Sequence, residues 1–178
     1  NNTYFPGTIA YSSALIGCQT IGIEEKETIY NKTHDFLSKK GQHELLKQLP
    51  DISSDDYFNE GLKHYYKAQF EKSIENFKKS FERGEPYAAS VLGHIYREEL
   101  NDYKNAEKYY LQAIENKRYG TCLMLGHMYC QDLRDFIKAE KAYLHAIKHK
   151  IYSGYISLGS MYHAHVNDPD KAAEAYRQ

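Results

Sequence analysis

The string Leu-Gly-x-x-Tyr occurs as LGHIY at 92–96, LGHMY at 125–129 and LGSMY at 158–162, placing Gly93, Gly126 and Gly159 at intervals of 33 residues. The same interval aligns Tyr96, Tyr129 and Tyr162, then Asp102, Asp135 and Asp168, then Ala106, Ala139 and Ala172, and finally Tyr110, Tyr143 and Tyr176. A more divergent copy starts near Ser54, with Gly61 thirty-two residues before Gly93. Self-similarity at roughly 20–50 residues is the signature of a stacked array, in which one unit cannot bury its apolar face and its neighbours cover it.

Each unit reads as two helices. The first carries Leu-Gly-x-x-Tyr. A glycine inside a helix costs about 1 kcal/mol against alanine, so the column demands a packing reason, namely close approach of a neighbouring helix. The second opens at the Asp column, a good N-cap because its carboxylate accepts from first-turn N–H groups, and Pro169 after Asp168 suits the first helical position. Small residues follow at Ala106, Ala139 and Ala172, with Ala113 and Ala146 seven residues after the first two. Lys117, Arg118, Lys148 and Lys150 close the second helices with positive charge, matching the negative end of the helix dipole. Tyr and Leu on one face against Lys and Glu on the other predict helices at about 54–67, 71–83, 87–99, 102–117, 120–131, 135–149, 153–165 and 168–178. Residues 1–53 lie outside the period; Glu24–Lys39 reads as a helix and Gln42–Leu49 as a short one ended by Pro50, together a cap over the first repeat. The array then divides near 54–86, 87–118, 119–151 and 152–178.

The strings DYKNA (102–106), DFIKA (135–139) and DPDKA (168–172), read with Leu-Gly-x-x-Tyr, resemble the tetratricopeptide superfamily. D-x-x-K-A resembles its Sel-like branch, although these units are shorter than that branch's usual period and lack its Gly-rich loop. The resemblance covers residues 54–178. It implies an all-α, right-handed α-solenoid of three to four helix pairs, a protein-interaction scaffold or adaptor without turnover, and first helices lining a concave groove. Groove positions then fall around each motif glycine. Phe58 and Leu123 stand three before it, His94 and His127 one after, and Tyr65, Arg97, Cys130 and His163 four after; these eight are the candidate partner-binding residues. Members that grip a peptide's C-terminal carboxylate place Lys and Asn in such positions, and here Arg97 is the one groove cation, so an aromatic-rich or acidic segment fits better. The Lys-, Asn- and Tyr-rich composition fits a bacterial chain. Two other classes stay open: an inhibitor or immunity-type protein sequestering a cognate toxin or enzyme, and a metal- or thiol-dependent enzyme.

Composition and chemistry weigh against that last class. A formal net charge of −1 and a pI near 6.8 give no general pull toward nucleic acid or anionic membranes. Eighteen tyrosines and no tryptophan suit half-buried helix seams. His94, His127, Cys130 and His163 share a groove, but zinc needs its ligands converging within about 2.3 Å while neighbouring helices stand about 8–10 Å apart, so no metal is expected. No phosphate-cradling glycine loop and no oriented nucleophile stands out, so neither a cofactor nor catalysis is expected. Cys122 falls at a packing position. The odd cysteine number, with Cys122 and Cys130 about 12 Å apart along one helix, favours a reducing, cytoplasmic compartment. The alternative is a periplasmic or lipid-anchored protein if Leu15-Ile16-Gly17-Cys18 is a lipoprotein signal box. No apolar run reaches the roughly 18 residues needed to span a bilayer. The last copy stops within its second helix, and the face left there offers self-association.

Overall fold

The structure, a computed structural model, describes residues 22–47, 49 and 51–178. The Leu15–Cys18 string and Pro50 lie outside these. Among the described residues ten helices follow in order: α1 Ile23–Lys39, α2 His43–Lys47, α3 Ser54–Tyr66, α4 Phe70–Glu82, α5 Pro86–Glu98, α6 Tyr103–Glu115, α7 beginning Thr121–His127, α8 Phe136–Lys148, α9 beginning Ser153–Met161 and α10 Pro169–Tyr176. Helices α7 and α9 each continue into a π-helical turn, Met128–Asp132 and Tyr162–Val166. No strand occurs among the described residues. Four antiparallel pairs, α3–α4, α5–α6, α7–α8 and α9–α10, stack in chain order as an all-α solenoid. Its core runs through the stack as two apolar clusters, one centred on Phe77, Leu92 and Ile95 and one on Tyr110, Met128 and Tyr143.

The glycine and aromatic columns are two halves of one contact. Within each pair, an aromatic ring from the second helix lies flat against the glycine of the first: Phe77 on Gly61, Tyr110 on Gly93, Tyr143 on Gly126 and Tyr176 on Gly159. A Cβ on Gly93 would sit 2.5 Å from Tyr110 Cε1, and one on Gly159 2.5 Å from Tyr176 Cε1. The looser first copy has 3.0 Å from Gly61 to Phe77. The Asp column caps as expected, with Asp102, Asp135 and Asp168 accepting from the N–H groups of Asn105, Lys138 and Lys171 at 3.0–3.1 Å.

The turns keep the same time. Ala68, Asn101, Arg134 and Asn167, between first and second helices, all have φ of 52–56°, and Gly84, Lys117 and Lys150, between pairs, have φ of 64–94°. One left-handed residue ends a helix while satisfying its last carbonyls. Seven positions separate Gly61 from Ala68, but eight separate each later glycine from its left-handed residue. The additional residue is taken up by bonds from Leu100 N–H to the Ile95 carbonyl and from Leu133 N–H to the Met128 carbonyl, five residues back, which is π-type winding. The first pair lacks it, and this is why its glycine stands one place out of register.

Helix α1 lies against α3 through a small cluster of Ile23, Ile52 and Tyr57. Lys26 meets Asp56 at 2.6 Å, Lys79 meets Glu27 at 3.0 Å, and the Tyr57 hydroxyl donates to Glu27 at 2.7 Å. Adjacent pairs are joined by polar contacts too. The Tyr129 hydroxyl donates to Glu107 and that of Tyr162 to Glu140, each on the second helix of the preceding pair. Lys138 and Lys171 lie over these two rings at 5.1 and 5.2 Å.

Candidate protein-binding face

The side chains that reach from one first helix to the next are found one, four and five residues after the motif glycine and at the π-turn ends. The Tyr65 hydroxyl donates to Glu99 at 2.9 Å. Arg97 Nε donates to Asp132 Oδ2 at 2.5 Å, its Nη2 donates to Gln131 at 3.2 Å, and its Nη1 meets Glu98 at 3.2 Å. His127 Nε2 lies 3.1 Å from Ser157 Oγ. These contacts tie α3, α5, α7 and α9 edge to edge into one face.

Two of the eight candidate residues are not available on that face. Cys130 is 2% exposed, beneath the helix and beside the Tyr143 hydroxyl, and burial pushes its thiol up. Cys130 packs in the apolar cluster of the later repeats, whereas His163, at the same offset in the last pair and likewise in a π turn, is exposed. Arg97 is the second correction. Its side chain is only 12% exposed and three acceptors surround it, so it is not a free groove cation. The Tyr110 hydroxyl, wholly buried, lies near the same guanidinium, and burial pushes that phenol up to about 12.

The other six stand as follows. Phe58 packs edge-on against Phe77 at 5.2 Å and beside Tyr87 at 5.7 Å, half-buried. Leu123 is half-buried against the core of the later repeats. Tyr65 and His94 are partly exposed, and His163 is exposed. His127 sets its ring edge to Tyr143 at 5.6 Å; burial, then the Arg97 charge, holds its imidazole below the ordinary value, so it is neutral at pH 7. His94, His127, Cys130 and His163 do not converge, and among the described residues no group of three or more His, Cys, Asp or Glu is placed to hold a metal. Burial raises the Cys122 thiol to about 11, leaving it a poor nucleophile. No described helix is long and apolar enough to cross a membrane.

Reading by glycine offset missed Glu99 and Asp132, although it reached Gln131. Their signal is a spacing of 34–35 residues from Tyr65 and Arg97, one period plus the reach of a side chain. Ile156, equivalent to Leu123 one period on, is 64% exposed and gives the face an apolar patch near its end.

Residues 88–118 and 119–148 match the family model described as tetratricopeptide repeat. Among solved structures, BtubC (BKLC) from P. vanneervenii is similar with a TM-score of 0.59, covering 96% of this chain and 87% of that chain. At 14% sequence identity that likeness is one of fold. No curated protein matches.

Proposed function

The chain is a tetratricopeptide-type repeat protein, and from that premise we propose that it is a binding scaffold that holds a protein or peptide partner on the face of α3, α5, α7 and α9. Repeats of this family generally mediate protein–protein interaction, and stacked pairs curve into extended concave binding surfaces. The observation that carries the reading is the edge-to-edge linkage of successive first helices by Tyr65–Glu99, Arg97–Asp132 and His127–Ser157. It makes one continuous, pre-ordered surface, and pre-ordering lowers the entropic cost of binding an extended segment. Partner contacts then fall to His94, His163 and Ile156, with Arg97 and His127 positioning the helices beneath. Helix α1 caps the first pair, and the Asp-capped D-x-x-K-A strings support a place in the Sel-like branch.

The test is affinity capture from native extract, wild type against His94→Ala/His163→Ala/Ile156→Ser, with circular dichroism confirming equal helicity. A partner retained at least about tenfold better by the wild type supports the reading. Equal retention by both moves the interface off this face. If the captured partner is an enzyme that the scaffold inactivates, the inhibitor role replaces the adaptor role on the same surface.

A further inference from the structure

A second surface lies at the opposite ends of the helices, where α6 turns into α7. There a pocket of about 310 Å³ opens among Tyr87, Arg118, Tyr119, Gly120, Met124 and Ile151. The left-handed residue Lys117 ends α6 and sends the chain back across the start of α5, so that Arg118 lies over the Tyr87 ring at 4.9 Å. Tyr119 is stacked flat on His149, with ring centroids 3.5 Å apart and planes 8° from parallel. Behind them the floor is closed by a buried hydroxyl pair, Ser90 and Thr121, 2.7 Å apart, so no unpaired polar group faces the cavity from that side.

We infer that this pocket docks an acidic protein segment that inserts a single aliphatic side chain. The inference rests on the reading that the array binds protein segments, but on a different surface. Three observations select this occupant. First, Lys117 and Arg118 at the rim, and Lys148 and Lys150 at the next turn, have no carboxylate within ion-pair distance among the described residues. The nearby Glu85 carboxylate is engaged by the Tyr87 N–H at 2.9 Å. Second, the volume sits at the bottom of the roughly 300–1,000 Å³ of ligand sites, enough for one side chain. Third, Tyr87 already carries Arg118 on its ring and Tyr119 carries His149, so neither offers an open stacking platform. A base or aromatic anchor would want one; Leu, Ile or Met needs only the apolar wall of Met124 and Ile151.

The test uses fluorescence polarisation at low salt with labelled, end-blocked hexapeptides in which five Asp or Glu residues surround a central Leu, Ile or Met. Saturable binding with Kd below about 1 mM is expected from at least one, and binding at least about tenfold weaker when Ser replaces the anchor. Lys117→Glu/Arg118→Glu and, separately, Gly120→Leu should each weaken binding about tenfold or more. Gly120 has an ordinary φ of −57° and nothing within 4 Å of a built Cβ, so leucine there fills the mouth without strain. Lys148→Glu/Lys150→Glu, at the next turn, should weaken binding at least about threefold less than Lys117→Glu/Arg118→Glu does, which separates rim charge from general edge charge. The inference is overturned by no saturable binding from any of the three peptides, by equal binding of the Ser peptide, by indifference to Gly120→Leu, or by tighter binding of a dT hexanucleotide. Loss of peptide binding only in His94→Ala/His163→Ala would place the peptide on the first-helix face, sinking this inference and leaving the other intact.

Discussion

Alanine at Gly126 and at Gly159 makes the same chemical change at equivalent positions, and the structure predicts opposite outcomes. A Cβ on Gly126 meets Tyr143 Cδ1 at 2.7 Å and Cζ at 3.0 Å, and Tyr143 is 2% exposed, packed in the core of the later repeats. The ring would have to retreat several tenths of an ångström into filled space. Overpacking of that kind costs typically about 1–3 kcal/mol, and removing a helical glycine returns about 1 kcal/mol. With the ring this confined, we take the upper part of the first range and expect Gly126→Ala to destabilise by about 2 kcal/mol. That corresponds to a fall of roughly 4–8 °C in Tm for a chain of this size. At Gly159 the built Cβ comes as close to Tyr176, but Tyr176 is 52% exposed and can swing outward. The propensity gain then dominates, and Gly159→Ala should be neutral or stabilising by up to about 1 kcal/mol. Urea unfolding followed by far-UV circular dichroism measures both. The double variant Gly126→Ala/Tyr143→Leu isolates the contact, with an expected coupling of about 1 kcal/mol or more. Equal losses at Gly126 and Gly159, or no coupling with Tyr143, would refute the ring-on-glycine account of the period.

The remaining prediction for stability concerns the turns: Lys150 has φ of 64° where the equivalent position of the first pair has Gly84, so Lys150→Gly should stabilise by roughly 0.5–1 kcal/mol in the same urea assay. The contact of α1 with α3 should be acid-sensitive. Burial opposes ionisation of Glu27, but hydrogen bonds from Tyr57 and Lys79 and the Lys79 charge outweigh it; Asp56 is held low likewise by Lys26 and Ser53 against its burial. Both carboxyls therefore titrate below their unfolded values, so their contribution is complete above the ordinary carboxylate range and is lost as pH falls through the lowered folded values. Hydrogen exchange, corrected for the intrinsic pH dependence, should show α1 amides losing protection below about pH 4 before those of α7 and α8, with Glu27→Gln flattening that response.

Much of this fold was legible because its repeat-forming contacts recur with the period. The helix expectations fall within two residues of the observed bounds, starting correctly at Ser54 and Ser153; elsewhere an Asp N-cap precedes the first helical residue or a turn residue follows the last. The glycine and tyrosine columns were both visible, yet their partnership was not, because the two helices meet at a crossing that no linear spacing announces. Cys130 went wrong for a reason of packing. An offset from Gly126 gives a place along α7 but not what covers it: Cys130 joins the apolar cluster of the later repeats, while His163 at the same offset in the last pair is exposed. Arg97 went wrong for a non-local one. Its acceptors Gln131 and Asp132 belong to the next pair, 34 and 35 residues on, where the sequence shows only a polar helix end.

That second error changes what a repeat array of this kind can use for recognition. A charged side chain on the inner face of one helix is within reach of the next helix's carboxyl-terminal end, so part of the polar inventory is consumed in joining the pairs before any partner arrives. In this chain the joins take Tyr65, Arg97 and His127 in succession, one per junction. What they leave is unequal: His94 and the half-buried Phe58 toward the beginning, exposed His163 and Ile156 toward the end. A partner lying along this face would meet a partly exposed polar seam at its centre and its apolar anchor at the α9 end. Substitutions at the seam should therefore loosen the stack along with the binding, whereas Ile156→Ser should lower affinity and leave the unfolding transition in place. The two classes of residue differ in which measurement they move, and that difference separates scaffold from contact more surely than exposure does.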